Sequence, residues 1–129
     1  MILVDSSAWI EFLRDTGSPV CERVDRLLDD PIATCHPVRM EILAGARDEA
    51  HLAQLRRLLA RAELITTEDA DYEQAAALYR ACRRRGETVR RLIDCLIAAH
   101  AMRVDVPILH ADADFDVLAR HTEVRVEHP

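Results

Sequence analysis

Short apolar runs alternate with longer segments of helical periodicity, and this alternation restricts the possible folds more than any other feature of the chain. Ile2 to Val4, Ile32 to Cys35, Leu64 to Thr67, Val106 to Leu109 and Val124 to Val126 read as strands, apolar on successive residues. Helical signals lie between them. Ser6 or Ser7 can cap a helix carrying Trp9, Ile10 and Leu13, and Pro19 precedes one with Val20, Val24, Leu27 and Leu28 inward. Pro37 opens a third with Val38, Met40, Ile42 and Leu43, stopping near Gly45, and Leu52, Leu55, Leu58 and Leu59 mark a fourth. Ala70 to Arg84 and Thr88 to Met102 are two further helices, separated at Gly86, and Phe115 to Ala119 is a short last one. Strands that are apolar on both faces need cover on both. The expected class is therefore α/β, a three-layer sandwich with a short, mostly parallel sheet covered by helices. With 129 residues and no repeat, linker or low-complexity stretch, residues 1–129 read as a single domain.

In sheets of this kind the ligand crevice lies beyond the carboxyl ends of the strands. Asp5 directly follows the first strand, and Asp112 and Asp114 follow the strand Val106 to Leu109 after a short turn. Asp94 interrupts the apolar helix Leu92-Ile93-Asp94-Cys95-Leu96-Ile97, and Glu41 interrupts Val38, Met40, Ile42 and Leu43 in the same way. An unpaired carboxylate in an apolar setting is unfavourable by several kcal/mol, so something must offset each one. Taken singly, each acid has an ordinary explanation: an N-cap, an Arg partner or a favourable helix dipole. Taken together, they describe a site of hard oxygen ligands suited to Mg²⁺ or Mn²⁺. Two such ions are a known apparatus for phosphodiester hydrolysis.

The cations are distributed unevenly. The formal charge is −6, all 17 basic residues are Arg, and Arg80 to Arg91 holds six of them with a single Glu. An acidic total excludes a basic nucleic-acid coat. The missing Lys excludes Schiff-base chemistry and a P-loop. It also removes the Lys that supports the Asp nucleophile of haloacid-dehalogenase-type phosphatases and of receiver domains, which Asp112-Ala113-Asp114 otherwise imitates. The cationic segment leads into the Asp94 helix, so Arg83, Arg84, Arg85, Arg90 and Arg91 are candidate contacts to a polyphosphate chain. The alternative is a solvated helix end whose Arg residues complement the dipole.

Other signals point to structure. Asp112, Asp114, Asp116 and Glu123 fall at calcium-loop spacing, but Val117 stands where that loop needs Gly. Cys21, Cys35, Cys82 and Cys95 form no Cys-x-x-Cys pair and read as buried thiols in a reducing compartment. His100, His110 and Trp9 read as satisfied structural residues. The amino terminus lacks the basic region of a signal peptide, and no uncharged apolar run approaches the roughly 18 residues of a membrane span. A cytoplasmic protein without membrane contact is expected.

Four blocks together resemble a PIN-domain ribonuclease, more narrowly the VapC toxins of bacterial VapBC toxin–antitoxin pairs. They are Ile2-Leu3-Val4-Asp5-Ser6-Ser7-Ala8-Trp9-Ile10, Met40-Glu41-Ile42-Leu43-Ala44-Gly45, Leu92-Ile93-Asp94-Cys95-Leu96-Ile97-Ala98 and Leu109-His110-Ala111-Asp112-Ala113-Asp114-Phe115. The resemblance covers essentially the whole chain, in the family's order. It implies a PIN-like sandwich and a Mg²⁺- or Mn²⁺-dependent endoribonuclease. The acids Asp5, Glu41, Asp94 and Asp112 would be catalytic, and Asp5, Asp94, Asp112 and Asp114 would be metal ligands, with either Asp112 or Asp114 as the direct one. The hydroxyl of Ser6 or Ser7 would position Asp5. The resemblance further implies a homodimer, an antitoxin whose carboxyl-terminal tail enters the groove, and structured RNA such as tRNA as substrate. Two other readings compete: a module that binds RNA or a partner without cutting it, and a metal-dependent phosphatase.

Overall fold

The computed structural model describes residues 1–129, and its centre is β1 (Ile2–Val4). The chain runs outward from β1 through α1 (Ser6–Leu13), α2 (Pro19–Leu27), β2 (Ile32–Cys35), α3 (His36–Leu43), α4 (Glu49–Leu59) and β3 (Glu63–Ile65). It returns through α5 (Asp69–Arg84) and α6 (Leu92–Arg103) to β4 (Ile108–Leu109) on the other side of β1, and ends after α7 (Ala113–His121). The strand order is β3-β2-β1-β4 and every pairing is parallel, with Leu3 beside Ala33 and Ile108. The direction of winding reverses between β1 and β4. That reversal opens a crevice at their carboxyl ends, where Asp5 and Asp112 stand.

Leu3, Val4, Ile32, Ala33, Ile108 and Leu109 are buried on successive residues, so both faces of the sheet are covered by helices, as the pattern predicts. α1 packs on α2 and α3, α5 packs on α6 and α7, and α3 also meets α6. Trp9 and Phe115 are fully buried, and the four Cys residues are free and buried.

Several boundaries differ from those the sequence suggests. Ser6 and Ser7 lie inside α1, and the helix is capped by Asp5, whose carboxylate accepts the Ser7 amide at 3.0 Å. A carboxylate at this position both accepts the hydrogen bond and complements the positive helix end. α6 begins at Leu92, not Thr88. Gly86 turns the chain out of α5 at φ +88, buried Val89 pins the connector, and Arg91 is extended at φ −121. β3 begins at Glu63, and Thr66 and Thr67 lie beyond it. Asp112 caps a longer α7 than expected by accepting the Asp114 amide. Val124 to Val126 supplies only one bridge, Val126 to Ile108.

A buried polar network ties the β3–α5 turn to α6. Asp71 completes a capping box with Glu68 and receives Arg103 Nε at 2.9 Å. Burial works against the Asp71 charge, but Arg103 and the Glu68 amide hold its pKa below the usual value. Fully buried His100 bonds the Leu96 carbonyl at 2.7 Å and Thr67 Oγ1 at 2.8 Å, which accounts for both ring nitrogens.

Candidate metal centre

Four of the site acids stand at the start of a helix, Asp5 and Asp112 as caps and Asp94 and Asp114 in the first turn, and Glu41 stands in the last turn of α3. Asp5 leaves β1 with its backbone amide bonded to the Leu109 carbonyl at 3.0 Å, which fixes it beside β4. Its Oδ2 accepts both the amide and the hydroxyl of Ser7, at 3.0 and 2.6 Å. Ser7 Oγ in turn accepts the Ala111 amide at 2.9 Å. One hydroxyl thus connects the first acid to the loop that presents Asp112. Ser6 acts elsewhere, donating to Glu41 Oε1 at 3.0 Å and so fixing the acid on α3.

Asp94 stands in the first turn of α6, a helix otherwise buried through Cys95, Ile97 and Ala98. One carboxylate oxygen from each of Asp94, Asp112 and Asp114 can come within 4.8 Å of the others. Asp5 borders this group closely enough that its charge raises the pKa of Asp94. Glu41 lies at the mouth, where it pairs with Arg91 and has Ser6 beneath it.

The electrostatics follow from burial. Asp5 and Asp94 are each 2% exposed. Burial pushes Asp5 up to about 6, against the opposing hydrogen bonds from Ser7. Burial also pushes Asp94 up to about 8, helped by its contact with the Asp114 carboxylate and by the charges of Asp5 and Asp112. Asp114 is equally buried, yet the amides of Arg90 and Arg91 and the proton of Asp94 outweigh desolvation and hold its pKa low. Burial and its acidic neighbours thus favour the protonated form of Asp94, while Asp114 is held in its charged form.

Two oxygens in the cluster have no protein partner: Asp5 Oδ1 and Asp94 Oδ2 are buried and unbonded. Buried carboxylate oxygens without partners are expensive, and these two belong to a group of hard donors. The residues therefore fit a divalent cation, with Asp94, Asp112 and Asp114 close enough to share one and Asp5 beside them.

The arginines divide into two sets. Arg83, Arg84 and Arg85 are exposed at the end of α5, and the Arg83 guanidinium lies 5.7 Å from the centre of the Tyr79 ring. Arg90 and Arg91 turn toward the acids. Arg90 reaches Asp112 Oδ1 at 2.9 Å and Asp114 Oδ1 at 3.4 Å, and Arg91 reaches Glu41. Sequence alone makes all five equal candidates for contact with RNA. It gives no sign of this pairing, which depends on where the connector between α5 and α6 sits. Nor does it signal that His110 Nδ1 accepts the Asp112 amide at 3.1 Å and steadies the turn after β4.

Residues 2–121 match the PIN-domain family model. The chain belongs to the PIN-domain family. Within it the chain is similar to the VapC ribonucleases. It is 50% identical over 129 residues to Ribonuclease VapC11 of Mycobacterium tuberculosis, covering 97% of this chain and 96% of the relative. The same identity and coverage hold for VapC ribonuclease Mb1587 of Mycobacterium bovis. Among solved structures, VapBC2 of Rickettsia felis, bound to a DNA fragment from its promoter, superposes with a TM-score of 0.78 at 18% identity, covering 98% of each chain. The PIN fold of this chain is thus shared well beyond its sequence relatives. No helix of this PIN domain is long and apolar enough to cross a membrane.

Proposed function

We infer that this PIN domain is the toxin of a toxin–antitoxin pair and a Mg²⁺- or Mn²⁺-dependent endoribonuclease. The observation that carries this reading is the convergence of Asp94, Asp112 and Asp114 oxygens within 4.8 Å of one another, together with two buried site oxygens that have no partner, Asp5 Oδ1 and Asp94 Oδ2. Asp5, Asp94 and Asp112 would hold the cation. A bound divalent cation supplies Lewis acidity and neutralises charge during hydrolysis of a phosphodiester by water. Glu41, steadied by Ser6, lies at the mouth and orients the attacking water. Ser7 holds Asp5 in register with the Asp112 loop. Arg83, Arg84 and Arg85 grip the RNA backbone beside the site, and Arg90 and Arg91 meet phosphate at its mouth. Structured RNA, with tRNA as the first candidate, suits a cationic rim next to an acidic pocket.

Two surfaces support partners. A groove of about 510 Å³ runs from Ile10, Leu13 and Leu55 past Arg14 and Arg47 to Glu41, and it suits an antitoxin tail that ends at the acids. Exposed Met40 and Tyr72 border a second groove, and Tyr72 and Leu92 an adjoining apolar one between α5 and α6; together they suit a homodimer.

The direct test is incubation of the purified protein with total RNA and with tRNA, with and without Mn²⁺. Cleavage should leave 5′-phosphate ends, stop in EDTA, and fall by several orders of magnitude in Asp5→Asn. RNA binding without cleavage would favour a non-cutting module. Turnover of p-nitrophenyl phosphate without RNA cleavage would favour a phosphatase.

A further inference from the structure

Asp114 sits among the site acids, yet its oxygens are occupied differently from theirs. Oδ1 accepts the Arg90 amide at 3.0 Å and Arg90 Nε at 3.4 Å, and Oδ2 accepts the Arg91 amide at 3.0 Å. A carboxylate oxygen accepts along about two lone-pair directions, so Oδ1 is filled from within the protein, as are Asp5 Oδ2 and Asp112 Oδ1; what sets Asp114 apart is that its second oxygen accepts a backbone amide as well. Asp5 and Asp94, by contrast, each keep an oxygen with no partner at all. Arg91 is the N-cap of α6 and its own side chain makes no cap hydrogen bond. Asp114, reaching over from α7, takes up the amides of Arg90 and Arg91, the two residues before α6, and places a negative charge near the positive end of the helix.

We propose that Asp114 is a positioning residue and not a metal ligand: it clamps the connector between α5 and α6 so that Arg90 and Arg91 extend across the mouth of the acid pocket. Arg90 is held at both ends, its amide by Asp114 and its guanidinium by Asp112 at 2.9 Å. Arg91 is held by Asp114 at its amide and reaches Glu41 with its guanidinium. The two guanidinium groups therefore each rest on a different site acid, Arg90 on Asp112 and Arg91 on Glu41. Each guanidinium carries five N–H donors, and these contacts leave donors over on both for phosphate. The inference rests on the nuclease reading for its consequence, since a phosphodiester approaching Glu41 and Asp112 meets the guanidinium groups paired with them. The clamp itself is independent of that reading.

Asp114→Asn keeps the side-chain shape but retains a single acceptor oxygen and turns an NH₂ toward one of the two amides. Amide hydrogen exchange in EDTA should show Arg90 and Arg91 exchanging at least about tenfold faster in Asp114→Asn and within about twofold of wild type in Asp112→Asn. With tRNA and Mn²⁺, Asp114→Asn should raise KM by about tenfold and change kcat by less than about threefold. Unchanged protection of both amides in Asp114→Asn would overturn the proposal, as would a loss of kcat of about a hundredfold at constant KM. Should Asp114→Asn fail to fold, the wild-type protein decides: saturating Mg²⁺ should leave exchange at Arg90 and Arg91 within about twofold, and loss of protection would show that the ion takes these oxygens. A wild-type protein that cuts no RNA would defeat the nuclease reading, while the exchange measurements would still settle the role of Asp114.

Discussion

Asp94→Asn should make the protein more stable at alkaline pH while removing its activity. Asp94 has its pKa raised from 3.8 to about 8 in the folded chain. Between these values the folded state keeps a proton that the unfolded state has lost, so stability falls as pH rises through the window and the loss is complete above pH 8. At 1.36 kcal/mol per unit, a displacement of about 4 units corresponds to a ceiling of about 6 kcal/mol, which side-chain relaxation and water entry reduce. Asn has nearly the same shape and can donate to Asp114 without ever acquiring the charge. It also relieves Asp5, whose charge is coupled to that of Asp94. Urea unfolding in EDTA should show Asp94→Asn more stable than wild type by roughly 2–4 kcal/mol at pH 9 and by less than about 1 kcal/mol at pH 4, with equal m-values. A variant less stable than wild type at pH 9, or a gain that does not vary with pH, would refute the reasoning.

Other outcomes follow from the same geometry. Mg²⁺ at 100 times its Kd should add about 2.7 kcal/mol of stability at pH 8, measured by thermal unfolding, with a smaller gain at pH 5.5, where Asp5 and Asp94 hold protons. Arg103→Ala leaves Asp71 buried without its cation and should destabilise the fold by about 3 kcal/mol in urea unfolding. Replacing Arg83, Arg84 and Arg85 together by Ala should weaken RNA binding and reduce the slope of log affinity against log salt by about 2, with little change in unfolding.

The layer plan was legible because β1, β2 and β4 are buried on both faces, and that burial is written in runs such as Ile2-Leu3-Val4. The acids stood out for a related reason: a charge such as Asp94 in an apolar helix breaks a pattern that is otherwise continuous. Boundaries set by side-chain hydrogen bonds were not legible. Asp5 caps α1 because its carboxylate reaches the Ser7 amide, and a neighbouring Ser could have filled the same position. The start of α6 depends on Asp114, which lies 23 residues from Arg91 along the chain. The same long-range contact directs Arg90 and Arg91 inward, whereas Arg83 to Arg85, without such a contact, stay in solvent as their composition suggests. Val124 to Val126 has strand character, but only Val126 joins the sheet, and it does so through a single bridge.

Acids far apart along the chain are crowded together in this site, and a divalent cation would relieve the crowding. Calorimetric titration with Mn²⁺ at pH 7, in two buffers of different ionisation enthalpy, tests it directly. Asp94, raised to about 8, is mostly protonated at that pH, so binding should expel close to one proton per chain, and the release should fall toward zero at pH 9. Absence of binding, or binding at pH 7 with no proton released, would contradict the account.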